Sequence, residues 1–216
     1  MKINKIQIAI DSPAASGAGT QAKLLAKHYN LLYLDTGKLY RIVAKVYLEK
    51  NKKINYAELK KIINQTKLKD LKSKKLIKSR ISMVAAKLAK NYKIRKFVSD
   101  YQIKLANNPP KKYKGVCFDG RDITYKIMPK ANIKFFLTAK IKERARRRFV
   151  ELKKLKHSIT YNEVLKDIKE RDKSDFSRKI SPLKIVDDAI YIDNSNMTIK
   201  KCFNLMVKEI NKKIIQ

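Results

Sequence analysis

The spacing of the apolar segments constrains the fold of this chain more than any other feature. Five short runs are rich in Ile, Leu, Phe and Tyr, and each ends at a polar or small-residue segment. These runs cover residues 6–10, 31–35, 114–120, 132–139 and 189–193. Between most of them, apolar residues recur at helical spacing, so buried strands alternate with helices. The pattern predicts an α/β fold with a parallel sheet that helices cover on both faces.

Residues 52–108 interrupt this alternation. They are rich in Lys and show helical patterns, such as the one at 56–65, without a convincing buried strand. We therefore expect a core formed by residues 1–51 and 109–216, with a helical insertion between these two parts. The chain of 216 residues, with 44% hydrophobic content, is long enough to form one such domain.

The charge is strongly positive, because 53 Lys and Arg residues face 19 Asp and Glu residues, which gives a formal net charge of +34. Such a charge is compatible with nucleic-acid binding. However, the lysines are spread along the whole chain, and charge alone specifies no site. No RNA-recognition signature, zinc finger or heptad array accompanies them. We therefore expect a compositional bias toward Lys and no specific nucleic-acid partner.

Only 10 of the 53 basic residues are Arg, so this chain uses Lys by default. A guanidinium offers a rigid, bidentate fork to a phosphate, whereas an ammonium is a point charge. The positions that hold Arg are therefore informative. Those in or near motif-like segments are Arg41, Arg95, Arg121, Arg171 and Arg178. A separate cluster consists of Arg144, Arg146, Arg147 and Arg148.

The cysteines and the apolar runs bear on the compartment. Cys117 and Cys202 are far apart in sequence and match no metal-ligand spacing, which favours a reducing compartment without a disulfide or a zinc site. No segment approaches the roughly 18 apolar residues of a membrane span. The first apolar run is too brief for a secretory signal. We expect a cytoplasmic protein that acts as a monomer.

The first motif is the segment SPAASGAGT, which lies between a predicted strand and a predicted helix, the context of a P-loop. Its residues are Ser12, Pro13, Ala14, Ala15, Ser16, Gly17, Ala18, Gly19 and Thr20. Small residues allow backbone N–H groups to surround a phosphate. Thr20 stands where a hydroxyl meets Mg²⁺, but Ala18 occupies the usual Lys position and Ser12 that of the first Gly. By itself, this segment is equally typical of an ordinary strand–helix turn.

Two further motifs follow predicted strands, where ligands of open α/β sheets bind. In LDTGKLYR, Asp35 and Thr36 are suited to polar substrate groups and Arg41 follows in the next helix. The alternative for this motif is a helix cap with a surface Arg. In DGRD, Arg121 is suited to phosphate, and the carboxylates of Asp119 and Asp122 flank it. The alternative for this motif is a turn with a salt bridge.

Thr160 and Glu163 are spaced as a capping box for a helix through residues 162–171, which the polar segment DKSDFSRKISP is expected to interrupt. The fourth motif is RDKSDFSR, in which Arg171, Asp175 and Arg178 have the i, i+4 and i+7 spacing of one helix face. Two guanidiniums with a carboxylate between them suit a phosphate clamp. The alternative is a surface ion-pair stripe, which contributes little to stability.

Together and in this order, the four motifs resemble those of bacterial cytidylate kinases, the (d)CMP kinases of the nucleoside monophosphate kinase group. The matching text includes IAIDSPAASGAGTQAKLLAKHYNLLYLDTGKLYR, GVCFDGRDIT and ERDKSDFSRKISPL. The resemblance spans nearly the whole chain and is weakest in 52–90. It implies a P-loop NTPase fold with residues 52–108 as the CMP-binding insertion and a lid near 171–182. It also implies ATP-dependent phosphorylation of CMP and dCMP in pyrimidine nucleotide metabolism.

The resemblance also implies roles for individual residues. The loop from Ser12 to Thr20 would bind the ATP phosphates, with Thr20 meeting the Mg²⁺ that ATP carries. The implied substrate-binding residues are Asp35, Thr36, Arg41, Arg95, Asp119, Arg121, Asp122, Arg171, Asp175 and Arg178. The implied catalytic residues are Arg121, Arg171 and Arg178.

Several positions depart from the family pattern. The P-loop Lys is replaced by Ala18, Thr124 stands in place of a Gly, and Ser174 replaces a lid Arg. Ala86 stands in place of a cytosine-contacting Ser. Removing one preorganised charge commonly lowers the rate by about 10²–10³.

Three functional hypotheses follow. The first is an active kinase in which Lys173, Lys179 or Arg148 supplies the missing charge. The second is a nucleotide-binding pseudokinase, and the third is a basic RNA-binding protein. We favour the active kinase, because the motif positions hold Arg in a chain that otherwise uses Lys.

Overall fold

A computed structural model of the protein describes residues 5–51, 53, 55–77, 79–155 and 158–214. The strands are β1 (Ile6–Asp11), β2 (Leu32–Asp35), β3 (Gly115–Gly120), β4 (Ile133–Thr138) and β5 (Ile190–Asp193). The first four helices are α1 (Ala18–His28), α2 (Gly37–Glu49), α3 (Tyr56–Gln65) and α4 (Ser79–Leu88). The others are α5 (Tyr92–Asn107), α6 (Ile141–Lys154), α7 (Tyr161–Ser177) and α8 (Ile199–Ile214). The described residues fall into two compact units, one from 1–34 and 109–216 and the other from 35–108.

The strands form one sheet in the order β2-β3-β1-β4-β5. β1 pairs in parallel with β3 and β4, and β4 pairs in parallel with β5. All five strands lie within the predicted apolar runs or extend them by one residue. Consecutive residues of β1, Ile8, Ala9 and Ile10, are fully buried, as expected for a strand covered on both faces. The predicted α/β fold with a parallel sheet is therefore confirmed.

The ends of β1 and β3 meet at the same level. The register pairs Ile6 with Gly115 at one end and Asp11 with Gly120 at the other. Gly115 has φ +153°, and a Cβ there would lie 1.9 Å from the carbonyl oxygen of Ile6, so only glycine fits this close approach. The segments that follow β1 and β3 consequently leave the sheet side by side.

Helices α1 and α8 cover one face of the sheet. Leu25 of α1 and Met206 of α8 are fully buried in the cluster that contains Ile8 and Phe135 of the sheet. Helices α6 and α7 pack on each other through a smaller cluster that includes Ala145 and Val164. These four helices and the sheet form the core of the unit from 1–34 and 109–216.

Helix α7 begins as predicted and ends later than predicted. Thr160 accepts a hydrogen bond from the Glu163 amide, and the Glu163 carboxylate accepts one from the Thr160 amide, which is the predicted capping box. The polar residues after Arg171 were expected to interrupt the helix, but α7 continues to Ser177. The prediction of an interruption is wrong.

The unit from 35–108 is helical. Its described part contains α2, α3, α4, α5 and two short 3₁₀ turns, and no strand lies in the described residues of 52–108. Buried apolar side chains from each helix form its interior, including Val43, Ile63, Ala85 and Ile94.

Candidate active site

The loop after β1 has the backbone geometry of a helix-capping cradle. Gly17 caps α1 with φ +91°, a left-handed conformation that favours glycine, and its carbonyl accepts hydrogen bonds from the amides of Thr20 and Gln21. Ala15 is also left-handed, with φ +58°. At the other end, the Ser12 amide donates to the Gly120 carbonyl at 3.2 Å. The loop is thus held between the N-terminus of α1 and the end of β3.

A buried ion pair from two helices supports the same loop. The guanidinium of Arg144 on α6 donates to the carbonyl of Ala14 at 3.0 Å and lies 2.6 Å from Asp172 on α7. The Ala14 amide donates to the other carboxylate oxygen of Asp172 at 3.3 Å. Both charged side chains are largely buried, with 7% and 13% exposed. Sequence reasoning missed this role, although Arg144 belongs to the Arg cluster and Asp172 follows Arg171.

Arg147 also contacts the loop. One of its guanidinium nitrogens lies 3.4 Å from the carbonyl oxygen of Ser16 and donates to Asn194 Oδ1 at 2.7 Å. The amide nitrogen of the buried Asn194 side chain donates to the same carbonyl of Ser16 at 2.9 Å. Arg148, which the sequence suggested as a source of charge, pairs instead with Glu151. Arg147, rather than Arg148, is thus the guanidinium of α6 that contacts the loop in addition to Arg144.

The side chain of Ala18 is part of the core. It is only 3% exposed and packs in the cluster with Ala22, Cys202 and Met206. The Lys of a typical P-loop is thus replaced here by a buried methyl group, and the Ala18 amide donates to the Ser16 hydroxyl at 3.3 Å.

Two side-chain oxygen atoms from other elements lie near Gly19 in the first turn of α1. Thr20 is exposed there. A Cβ on Gly19 would lie 3.4 Å from the Tyr33 hydroxyl and 3.5 Å from Asp119 Oδ2. Asp119, the first carboxylate of DGRD, therefore lies beside the predicted phosphate loop.

Three guanidiniums surround the carboxylate of Asp175. Arg121 donates from Nε at 2.8 Å, Arg178 donates from Nη1 at 3.1 Å, and Arg171 Nε lies 3.9 Å away. Arg121, Asp175 and Arg178 are largely buried, whereas Arg171 is 45% exposed. The structure thus brings Arg121 of the third motif together with the predicted residues of the fourth motif.

This cluster has strong electrostatic coupling. Burial raises the pKa of Asp175, but the charges of Arg121, Arg171 and Arg178 outweigh burial and hold that pKa below its usual value. Burial lowers the pKa of Arg121, and the Asp175 carboxylate outweighs it, so the Arg121 pKa is raised. Asp175 and Arg121 are therefore both charged at neutral pH. Arg178 lies just beyond the end of α7, not on the predicted helical face, and its Nε donates to the Ser181 carbonyl at 2.6 Å.

Asp11, the last residue of β1, is a buried carboxylate that sequence reasoning missed. Its oxygens accept hydrogen bonds from the amides of Ile123 and Thr124, both at 2.9 Å, and from the Thr124 hydroxyl at 2.6 Å. Residues Ile123–Ile127 form a single π-helical turn that begins after the buried Asp122. Burial raises the pKa of Asp11 to about 6, although the hydrogen bonds lower it.

Four predicted residues belong to the other unit. Asp35 ends β2, and the buried Thr36 precedes α2 without a side-chain capping hydrogen bond. Arg41 is half-buried on α2. Arg95 is 2% exposed, its Nε donates to the Ala89 carbonyl at 2.9 Å, and its guanidinium lies 5.4 Å from the centre of the Tyr40 ring.

A shallow cavity of about 380 Å³ lies between the start of α6 and the segment after β5. Its lining residues are Lys140, Lys142, Glu143, Arg146, Tyr161, Ser195 and Asn196. Hydrogen bonds from Arg146 and Arg147 lower the pKa of Glu143 to about 2. Glu143, which lines the cavity, accepts a hydrogen bond from Arg147, and Arg147 contacts Ser16 of the loop after β1.

Other types of site find little support in the part of the chain that the structure describes. No group of three His, Cys, Asp or Glu residues is arranged to hold a metal ion there. Cys117 and Cys202 are buried free thiols, and burial raises the pKa of each. None of the described helices is both long and apolar enough to cross a membrane.

The fold is similar to that of a solved structure. The chain is similar to a crystal structure of an uncharacterized protein from Eubacterium ventriosum, with a TM-score of 0.55 and 17% identity. The match covers 96% of this chain and 99% of that one. At this identity the similarity concerns the fold alone.

Sequence comparisons identify the family. The sequence model described as cytidylate kinase matches residues 8–212. Proteins named cytidylate kinase are similar to this chain at 42% identity in Fusobacterium nucleatum, covering 97% of this chain and 99% of the relative. The corresponding values are 38%, 92% and 92% in Caldicellulosiruptor saccharolyticus, and 39%, 98% and 96% in Clostridium tetani. With a P-loop NTPase fold and these relatives, the chain belongs to the cytidylate kinase family.

Proposed function

We propose that this protein transfers the γ-phosphate of ATP to CMP and dCMP, as the family assignment and the site geometry together support. The observation that carries the proposal is the convergence of Arg121, Arg171 and Arg178 on Asp175, next to the loop that follows β1. Because β1 and β3 end side by side, a donor phosphate on one loop and an acceptor phosphate on the other are neighbours. The reaction belongs to pyrimidine nucleotide metabolism.

Phosphoryl transfer requires two anions held in line while charge spreads over the moving group, and it requires little covalent chemistry. The N-terminus of α1 and the small residues of the loop from Ser12 to Thr20, which allow a close approach, suit the donor phosphates. The guanidiniums of Arg121, Arg171 and Arg178 suit the charge that develops during transfer. Asp175 keeps these cations together when no phosphate is bound.

The remaining predicted residues keep their proposed role in binding the acceptor nucleotide. They are Asp35, Thr36, Arg41, Arg95, Asp119 and Asp122. We assign the nucleoside part of the donor to the cavity beside the start of α6, because Glu143, which lines it, pairs with Arg147, and Arg147 contacts the proposed phosphate loop.

The first turn of α1 suits the Mg²⁺ that accompanies ATP. The Thr20 hydroxyl and the Asp119 carboxylate supply hard oxygen donors, which Mg²⁺ prefers, and Asp119 Oδ2 lies close to Gly19. Bound Mg²⁺ would neutralise charge on the donor phosphates.

Arg147 is the cation that we assign to the place of the missing P-loop Lys. Its guanidinium contacts the loop at Ser16, and Glu143 and Asn194 fix its orientation. A guanidinium in this position supplies part of the positive charge that a Lys at position 18 would supply. We further propose a cytoplasmic monomer without a specific nucleic-acid partner.

A coupled assay for ADP formation from ATP and CMP tests the proposal. We expect turnover well above the background of ATP hydrolysis. Arg121→Lys should lower kcat by about 10²-fold, because an ammonium cannot replace a bidentate guanidinium. Arg80→Lys, at an exposed position of α4, is the matched control.

The two alternative functions, a pseudokinase and an RNA-binding protein, predict different experimental results. Calorimetric binding of CMP and ATP without transfer would identify a pseudokinase. Tight, salt-sensitive RNA binding without CMP binding would identify an RNA-binding protein.

A further inference from the structure

Asp11 is a buried carboxylate to which the proposed chemistry assigns no contact with either nucleotide. It is 0% exposed, and three donors point at it, the amides of Ile123 and Thr124 and the Thr124 hydroxyl. Burial of an ionised carboxylate is costly unless such donors compensate for the lost water. Three charge-assisted hydrogen bonds from one short segment indicate that Asp11 holds that segment in a defined position.

The segment that Asp11 holds is the turn Ile123–Ile127, which supports the proposed site on two sides. Arg121 and Asp122 lie immediately before the turn. Within the turn, Tyr125 donates to the carbonyl of Pro182, and Lys126 donates to the Ser181 hydroxyl at 2.8 Å. The turn therefore directly follows the segment DGRD, which we call the acceptor loop, and it also contacts Ser181 and Pro182 at the end of the proposed lid.

Asp11 also stands at the start of the phosphate loop. It pairs with Gly120 in the β1–β3 register, and the next residue, Ser12, donates its amide to the Gly120 carbonyl. A single side chain thus links the strand that carries the phosphate loop to the turn that carries the acceptor loop and the lid.

We propose that Asp11 is a positioning residue for phosphoryl transfer, which fixes the turn at 123–127 relative to the phosphate loop and so sets the place of Arg121 and Asp122. This inference rests on the proposed function. The Thr124 hydroxyl strengthens the connection, because a residue without a side-chain donor would leave only the two amide bonds. Small displacements of positioned groups have large effects on transfer rates.

The first test removes the Thr124 hydroxyl and keeps the Asp11 carboxylate. Thr124→Val keeps the side-chain shape and both backbone bonds. We expect about a 10-fold lower kcat and a weaker affinity for CMP, since a hydrogen bond to a charged group is lost. The affinity for ATP should stay within about 2-fold of wild type, because the turn does not carry the phosphate loop. Thr124→Ser should restore the wild-type values.

A second variant and a matched control make the outcome decisive. Asp11→Asn should lower kcat by about 10²-fold, because the amide accepts fewer of the three hydrogen bonds. Thr138→Val makes the same Thr-to-Val change at the end of β4, where we expect only a change in thermal stability. Folding of each variant is checked by circular dichroism.

The results also separate this inference from the proposed function. If wild type shows no turnover, the proposed function fails, and calorimetric affinity for CMP then tests the positioning alone. Weaker CMP binding in folded Thr124→Val, rescued by Thr124→Ser, supports the inference. Folded variants at Asp11 and Thr124 with wild-type kcat and CMP affinity would overturn it, as would failure of wild type to bind CMP.

Discussion

At the residue scale, Ala18 places an uncharged, buried methyl group where a typical P-loop has Lys. Its methyl group is buried against α8, and helix α1 begins at this residue. The positive potential at the proposed phosphate loop therefore depends on the dipole of α1 and on the Arg147 guanidinium from α6.

Restoring the charge should increase the rate. We expect Ala18→Lys to raise kcat for CMP by about 10- to 100-fold, because it adds a preorganised cation at the donor phosphates. The measurement is the coupled assay at saturating ATP and CMP. Ala18→Met is the control, since it adds an unbranched stem without charge. An equal gain in both variants, or none in Ala18→Lys, would contradict the electrostatic explanation.

Arg147 supplies the second residue-scale prediction. Arg147→Ala should raise the KM for ATP by about 10-fold, because it removes a cation and a hydrogen-bond donor at Ser16. The KM for CMP should change little. Arg148→Ala, which removes the neighbouring guanidinium paired with Glu151, provides the comparison. Equal effects of both changes on the KM for ATP would show that only net charge matters.

Asp11 should make stability depend on pH. Its pKa is raised from 3.8 to about 6, mainly by burial, with Asp122 as a neighbouring negative charge and Arg121 as a neighbouring positive one. The folded protein therefore binds more protons than the unfolded chain between these values. The free energy of unfolding should fall by roughly 3 kcal/mol as pH rises through this window, and this contribution should level off above it.

Urea denaturation between pH 4 and pH 7.5 measures this dependence, with Asp11→Asn as the variant that cannot titrate. The difference between wild type and Asp11→Asn isolates the carboxyl group. In Thr124→Val the upper end of the window should move to higher pH, because the Thr124 hydroxyl bond lowers the pKa of Asp11. Parallel pH profiles for wild type and Asp11→Asn would refute the prediction.

At the residue scale, the sequence predicted the motif residues of the site, but it did not predict the residues that hold those motifs in place. Arg121, Asp175 and Arg178 lie in recognisable motifs, and the structure brings them together. Asp11 was missed because its partners are 112 and 113 residues away, where no local pattern reveals them. The choice between Arg147 and Arg148 required knowledge of which side of α6 meets the loop.

At the scale of elements, α7 links the proposed phosphate loop to the group formed by Arg121, Arg171 and Arg178 around Asp175. Asp172 contacts Ala14, and Asp175, three residues later on the same helix, contacts Arg121. The helix is polar along most of its length, and Val164 and Ile168 are its buried residues. Its N-terminal cap therefore contributes a substantial part of its local stability.

Removal of that cap should destabilise the protein measurably. Thr160→Ala should lower the free energy of unfolding by about 1 kcal/mol, because the Glu163 amide loses its acceptor and the capping box is broken. Thr160→Ser keeps the hydroxyl and is the matched control. Urea denaturation gives the comparison, and equal midpoints for Thr160→Ala and wild type would disprove the contribution of the cap.

The element boundaries show why strands were easier to predict than the end of α7. Each strand is a short apolar run, which is a strong local signal of burial on both faces. Residues 172–177 contain few apolar side chains, so their helical state is not visible as a period. Ion pairs to other elements hold them instead, such as the pair between Asp172 and Arg144.

At the scale of the whole molecule, the charge of +34 opposes folding through self-repulsion. Exposed lysines such as Lys27 on α1 and Lys201 and Lys208 on α8 have water as their surroundings. Salt screens such repulsion over about 10 Å at 0.1 M. The stability of this protein should therefore depend on ionic strength.

We expect the free energy of unfolding to rise by roughly 1 kcal/mol when NaCl increases from about 20 mM to about 200 mM. Urea denaturation at each salt concentration measures it. The triple variant Lys27→Glu, Lys201→Glu and Lys208→Glu lowers the net charge by six and should show a smaller salt response. Stability that falls with added NaCl would contradict the repulsion argument.

The register of β1 with β3 has a consequence for protein engineering. Asp11 stands opposite Gly120, so the roots of the proposed donor and acceptor loops form one structural module. A new acceptor specificity cannot be transplanted by exchanging DGRD alone, because its anchor lies on another strand. A successful graft has to bring both strand ends together with the residue at 124.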